Sequence, residues 1–277
     1  MSVDVPVNSR SVPRATERPA GSNGGKKRDV RGLIWTLIRT DVKVYYHASV
    51  AGFLWALLRP LSMFVALTLI FSLVFASQPN FVLNLLIGLF LYEFFSEGTK
   101  AGLVSLYAKG YLLTKTRFPY WIVIPISSVN ALIILVVFST ALLLYLAMTG
   151  RFPDPLPLML FFGYAMLMWL IILGVAFGMS ALYLRFRDLN HIWDAVVQAG
   201  FFVAPIIVTL DMLPARLHPY LFLWPPTPVI VLSRQVLVEG TMPPLQPQLY
   251  LVGMTLLIVV TGLLMFRSLA RNAAEQL

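Results

Sequence analysis

No cysteine occurs among the 277 residues. Disulfide frameworks, thiolate metal sites and cysteine nucleophiles are therefore excluded. Charge is scarce as well. Asp, Glu, Lys and Arg make up 12 % of the chain, about half of the roughly 25 % typical of soluble domains. Catalytic constellations have little to draw on. The three histidines, His47, His191 and His218, lie far apart, and no metal site and no Ser-His-Asp arrangement is expected. Nor is there a phosphate loop. Gly21-Ser22-Asn23-Gly24-Gly25-Lys26-Lys27 lacks the G-x-x-x-x-G-K-[ST] spacing and follows no strand.

What the chain does have is apolar surface. Apolar residues make up 58 % of it, and the mean hydropathy is +0.80. A soluble globule of this size could not hide so much behind a polar shell. A soluble enzyme, a disordered chain and a secreted disulfide scaffold are all excluded, and the natural solvent is a bilayer. Six apolar segments approach or exceed the ~20 residues of a spanning helix: 57–76, 81–98, 122–148, 156–184, 192–210 and 249–266. The predicted fold is an all-α polytopic membrane protein.

Before these spans, residues 1–29 are polar and rich in Ser, Pro, Gly, Arg and Lys. They read as a disordered basic tail near an anionic membrane surface. No apolar stretch follows its first basic residues, so a signal peptide is not expected. Residues 30–56 carry Val30, Leu33, Ile34, Leu37, Val44, Tyr45, Ala48 and Trp55 at roughly helical spacing. This predicts an amphipathic helix in the interface. The domain reading is tail 1–29, interface helix 30–56 and a six-span unit 57–277.

The net charge of +9 comes from 21 basic and 12 acidic residues. Its meaning depends on position. With the amino terminus inside and six crossings, 18 of the 21 Lys and Arg fall on the inner side. Only Arg151, Arg216 and Arg234 fall outside. Both termini are predicted cytoplasmic, and the charge marks an inner membrane face rather than a nucleic-acid surface.

The stretch 205–247 holds nine of the 19 prolines. Proline interrupts the helical ladder, and the apolar pieces between, 217–224 and 229–238, are too short to span. Two short helices, re-entrant or surface-lying, are predicted on the outer side within an outer segment 211–247. An ordinary hydrophobic outer loop is the alternative.

A few polar residues stand out within the spans. Glu93 and Glu97 share one helix face at i and i+4, with Lys100 three residues further on. They read either as an interfacial ion pair with Lys100 or as a polar stripe facing a conduit or partner subunit. Asp194 and Gln198 form a similar pair after the basic turn Arg185, Arg187, Asp188. The aromatics Phe64, Phe71, Phe95, Trp169, Phe201 and Phe202 lie within spans. Each either packs or offers a flat face to a sugar polymer in a channel. The loop 106–119 is basic and amphipathic, with Lys109, Lys115 and Arg117 beside Tyr111, Leu112, Leu113 and Phe118. It suits docking to another protein or to anionic lipid.

Four segments resemble one family. They are Gly52-Phe53-Leu54-Trp55-Ala56-Leu57-Leu58-Arg59-Pro60; Thr114-Lys115-Thr116-Arg117-Phe118-Pro119 followed by Pro125-Ile126-Ser127-Ser128-Val129; Arg185-Phe186-Arg187-Asp188-Leu189-Asn190-His191-Ile192 with Phe201-Phe202-Val203-Ala204-Pro205-Ile206-Ile207; and Trp224-Pro225-Pro226-Thr227-Pro228 with Arg234. In this order they resemble the ABC-2 type permeases of bacterial polysaccharide exporters, the O-antigen and teichoic acid group. The likeness runs from about residue 30 to the end. Tyr120-Trp121 stands where the family usually has a charged pair, and Trp224 where it usually has Asn.

The resemblance implies a homodimer whose two six-helix halves enclose a channel for a lipid-linked polysaccharide. It implies a separate ABC ATPase subunit that binds ATP and Mg, with no cofactor and no catalytic residue on this chain. Thr114, Lys115, Thr116, Arg117 and Phe118, with Arg185, Arg187 and Asp188, would then couple to the ATPase. Trp224, Pro225, Pro226, Thr227 and Pro228 would belong to an outer gate. The implied location is the bacterial inner membrane. An ABC-2 exporter of drugs or small lipids is the alternative within the superfamily. An integral membrane transferase is the alternative of another class, and it would need clustered polar residues at one membrane face.

Overall fold

The computed structural model describes residues 30–47, 52–75, 78, 80–110 and 120–273. The tail 1–29 and residues 114–118 of the candidate coupling loop lie outside the described residues. Among those described, every regular element is helical. The order is α1 (Val30–His47), α2 (Gly52–Val74), α3 (Phe81–Ala108), α4 (Val123–Ser127) and α5 (Val129–Met148). It continues with α6 (Pro155–Arg185), α7 (Leu189–Val203), α8 (His218–Phe222), α9 (Pro226–Arg234) and α10 (Leu245–Ala273). The first helix is described to His47, and residues 52–56 of the expected 30–56 helix form the first turns of α2 instead.

Five stretches are long and apolar enough to cross a bilayer: Leu57–Val74, Phe81–Ala108, Val123–Met148, Pro155–Arg185 and Leu245–Leu269. The third is interrupted near Pro125, which lacks an N–H to donate. Ser128 turns the chain there, with its N–H and Oγ both donating to the Pro125 carbonyl at 3.2 and 2.8 Å.

The predicted fifth span behaves differently. Its helix α7 has 15 residues, about 22 Å at 1.5 Å per residue, which is short of a ~30 Å hydrocarbon core. Pro205 explains the stop. A residue before proline is pushed out of the helical region, and Ala204 is extended at φ −67°, ψ 138°. From residue 204 to 209 the backbone is not helical.

The helix ends follow local rules. After α5, Gly150 takes φ 67°. The Gly150 N–H donates to the Ala147 carbonyl and the Arg151 N–H to the Leu146 carbonyl, at 3.2 and 2.9 Å. This is the paired closure that a left-handed glycine permits. α6 opens on Pro155 in its first turn, where the missing N–H costs nothing.

α3 is the axis of the bundle. α2, α5, α6, α7 and α9 all pack against it, and α6 also packs along α10. Of the spanning stretch in α3, 72 % is buried within the chain, against 6 % for α2. α2 therefore presents most of its apolar surface, including Leu69 and Leu73, to lipid or to another chain.

Small residues set the closest approaches, as in other membrane bundles. Gly98 and Gly102 on α3 face Ile172 and Ala176 on α6. On the other side of α6, Gly174 meets Gly262 of α10 backbone to backbone. The short helix α9 is buried along its whole length, packed against α3, α6 and α10. α8 is not buried.

Candidate functional site

A cleft of about 790 Å³ opens between α2, α3, α5 and α7. Its polarity is unusual for so apolar a chain. α3 supplies Glu93, Ser96, Glu97 and Lys100 at helical spacing, so one face of the axis helix carries them all. Arg59 comes from α2 and Asn130 from α5. Asn190, Asp194 and Gln198 come from α7, with Phe201 and Phe202 further along that helix.

The ion pairs are not those that the sequence suggests. Lys100 pairs with Asp194 at 3.0 Å, and Glu97 pairs with Arg59 at 3.4 Å. The i, i+3 neighbours Glu97 and Lys100 are each taken by a residue of another helix. The start of α7 brings Asp194 across from 94 positions away, and α2 brings Arg59. Among the described residues Glu93 has no ion-pair or hydrogen-bond partner. Asn130 Oδ1 is likewise without a donor.

The cleft gathers four of the residues singled out as candidate channel lining: Glu93, Glu97, Phe201 and Phe202. The other four lie elsewhere. Phe95 is fully buried, inside an aromatic layer with Trp193, Trp224 and Tyr92 at centroid distances of 6.5, 5.7 and 6.3 Å. Phe64 packs on Phe90 and Phe71 on Phe75, both at 6.0 Å. Trp169 donates from Nε1 to Ser128 Oγ at 3.2 Å. Phe95 is enclosed by these contacts, while Phe64, Phe71 and Trp169 are partly buried against the core.

The aromatic layer also fixes α7 on α3. Tyr92 donates its hydroxyl to the Val197 carbonyl, and Trp193 Nε1 donates to Thr99 Oγ1 at 3.1 Å. Trp224 lies on Gly200, where a Cβ would come within 2.5 Å of the indole Cε2. A large ring before Pro225 is thus matched by the absence of a side chain on α7. Pro226, Thr227 and Pro228 of the candidate gate are buried in α9.

The turn Arg185, Phe186, Arg187, Asp188 is exposed at the opposite end. Arg187 sits 4.8 Å from the Tyr107 ring centroid and Arg185 5.6 Å from that of Phe186, which holds both cations in place. Residues 114–118 lie outside the described residues. His218 donates from Nε2 between the Leu210 and Leu213 carbonyls, at 3.1 Å each. Among the described residues no three His, Asp or Glu side chains gather as metal ligands would.

In the sequence Arg234 counts as an outer-loop charge and as a member of the Trp224–Pro228 resemblance, with no structural role assigned. Arg234 is 4 % exposed. Its Nε and Nη2 donate to the Asn84 carbonyl at 3.0 and 2.7 Å, and Nη2 also donates to Ile206 at 2.7 Å. Nη1 donates to the carbonyls of Pro205 and Val208. One guanidinium thus satisfies the backbone left open where α7 breaks. Gly88 makes room for it, since a Cβ there would stand 2.5 Å from Nη2. The available signal was a lone cation in the otherwise apolar run Val229-Ile230-Val231-Leu232-Ser233-Arg234.

Among the described residues, a helical bundle with five stretches able to cross a bilayer and a polar, aromatic-edged cleft between its helices defines a multi-pass membrane protein as the class. No family profile matches the chain. Individual proteins do. The O-antigen export system permease protein RfbA of Myxococcus xanthus is 27 % identical over 251 residues, covering 89 % of this chain and 96 % of that protein. Two proteins of the same description from Klebsiella pneumoniae are each 30 % identical, over 251 and 253 residues. Each alignment covers 88 % of this chain and 94 % of the relative. The chain belongs to this family of O-antigen export permeases, which are of the ABC-2 type.

Proposed function

We propose that the chain is the membrane permease of an ATP-driven ABC exporter. Its cargo is a lipid-linked cell-surface polysaccharide of the O-antigen, teichoic acid or galactan kind, carried across the bacterial inner membrane. The observation that carries this is the near full-length relation to O-antigen export permeases. The cleft supports it, because its carboxylates, amides and aromatic faces are the groups that contact sugars.

In this reading both termini are cytoplasmic and the chain crosses six times. The fifth crossing is made by α7 together with the non-helical stretch 204–209. Broken backbone at that depth is tolerated when protein satisfies it, as Arg234 does. The segment 211–247, with Trp224, Pro225, Pro226, Thr227 and Pro228, forms the outer gate. Two copies enclose the channel, and the exposed α2 is suited to such a contact.

The ATPase is a separate chain, which holds ATP and Mg. Thr114, Lys115, Thr116, Arg117 and Phe118, with Arg185, Arg187 and Asp188, receive its motion. No covalent chemistry falls to the permease. Closure of the ATPase on nucleotide shifts the inner loops and biases the bundle between two packings.

Deletion of the gene tests the function. The expected result is polymer accumulating inside the cell, with surface polymer restored by the full chain. Normal surface polymer combined with drug hypersensitivity would replace the polysaccharide by a drug.

A further inference from the structure

We propose that a second cavity, at the outer ends of α2, α3 and α5, binds the phosphate of a lipid. The proposal takes the side of the membrane from the six-crossing reading and is independent of what the permease carries.

The cavity measures about 590 Å³. It lies level with the ends of three spanning stretches. That of α2 stops at Val74, that of α3 starts at Phe81, and the one containing α5 stops at Met148. Lipid phosphates sit at this level, just outside the hydrocarbon core. The polar lining consists of Ser72, Gln78, Asn80, Tyr145, Thr149 and Arg151, and among the described residues no carboxylate joins it. Phe75 and Phe81 contribute apolar wall, their ring centroids 5.3 Å apart. Leu73 and Met148 adjoin the lining residues Ser72 and Thr149 in sequence, and both are strongly exposed. Surface that hydrocarbon chains would cover thus borders a polar, cationic recess.

Arg151 is held at both ends. Its backbone N–H donates to the Leu146 carbonyl at 2.9 Å, and its Nη1 donates to Asn80 Oδ1 at 2.5 Å. Asn80 takes φ 62° in the turn before α3, a left-handed conformation that asparagine tolerates. The amide is neutral, so it fixes the guanidinium without cancelling its charge. Asp154 and Glu239 line a neighbouring cavity that also meets Arg151. Neither is among the ion pairs of the described residues. Nε and Nη2 keep their N–H groups for a ligand, and so does the half-exposed Tyr145 hydroxyl. Phosphate oxygens accept from such a fork in charge-assisted bonds. A side chain already fixed loses little freedom on binding.

The test is native mass spectrometry on the full chain released from detergent, titrated with four probes. Two are lipids with phosphate, dioleoyl phosphatidic acid and dioleoylglycerol diphosphate. The third is dioleoylglycerol, and the fourth is inorganic diphosphate. At least one phosphate lipid is expected to bind at least about fivefold more tightly than dioleoylglycerol, as one surface cation warrants, and more tightly than inorganic diphosphate. Preference for the diphosphate lipid assigns the site to a diphosphate-linked carrier; preference for the monophosphate assigns it to a resident phospholipid.

Arg151→Gln is expected to lose this preference and Arg151→Lys to keep part of it. Asn80→Gly preserves the left-handed turn, removes the amide and should weaken binding. Arg216 is also exposed and assigned to the outer side, but lines neither cavity, so Arg216→Gln should leave binding unchanged. Equal binding of dioleoylglycerol would overturn the proposal, as would inorganic diphosphate binding as tightly as the lipids. Equal losses in Arg151→Gln and Arg216→Gln would reduce it to a general effect of surface charge and overturn the site. None of these failures would touch the export reading.

Discussion

Arg234→Met is expected to destabilise the folded chain by about 3 kcal/mol or more. Methionine fills much of the same volume but donates nothing. The carbonyls of Asn84, Pro205, Ile206 and Val208 would all lose their bonds to this side chain. Those of Pro205 and Ile206 belong to backbone that no helix continues past Val203. A buried acceptor without a donor costs about 1–3 kcal/mol, and here several lose one together.

Arg234→Lys should recover only part of the loss. A lysine ammonium has three donors radiating from one point, whereas the guanidinium fork reaches α3 and the non-helical stretch after α7 at once. Denaturant unfolding in mixed micelles reads both variants. An unchanged midpoint for Arg234→Met would show that the broken backbone finds its donors elsewhere.

The second large effect is expected from Gly262→Ala. The added methyl would stand 2.7 Å from the Gly174 carbonyl carbon and closer still to its oxygen. Both partners are helix backbone, so neither can rotate away as a side chain would. α6 and α10 must separate, and their whole contact loosens. Overpacking of this kind costs typically 1–3 kcal/mol, and the backbone-to-backbone geometry puts this site at the upper end. Gly253 on the same helix has no heavy atom within 4 Å of its position for a Cβ. Gly253→Ala should therefore leave the unfolding midpoint unchanged or raised, since alanine is the better helix former. Equal destabilisation by both substitutions would mean that helix propensity rather than the close approach sets the effect.

The sequence made the spans legible because a bilayer imposes a length and a composition, and both are written locally. It did not show that the helix of the fifth apolar segment stops at Val203. The apolar run continues to Leu210, and hydropathy does not register that a residue before proline leaves the helix. Glu93, Glu97, Asp194 and Gln198 were visible as polar pairs at i, i+4. Their true partners were not, since Asp194 reaches Lys100 only after α7 folds back on α3.

Phe95 illustrates a different limit. α3 is apolar on nearly every face, so no periodicity separates a side chain facing a cavity from one facing a neighbour. Trp224 and Gly200 are a lock of the same nonlocal kind, a ring and a gap 24 positions apart. Arg234 was readable as a lone charge ending an apolar run and as a member of the Trp224–Pro228 resemblance, while its partners lie far away in sequence, at Asn84 and in the stretch 205–208.

The central claim is that polymer passes through the cleft between α2, α3, α5 and α7. The absence of native cysteine makes a direct test simple. Gln198→Cys places one thiol in the cleft, and Phe152→Cys places one in the loop between α5 and α6, where the native residue is 58 % exposed. Each variant is reacted with a bulky maleimide in cells that export polymer. Label at position 198 is expected to stop the appearance of surface polymer, while label at 152 leaves it unchanged. Continued export with position 198 fully labelled would contradict the claim.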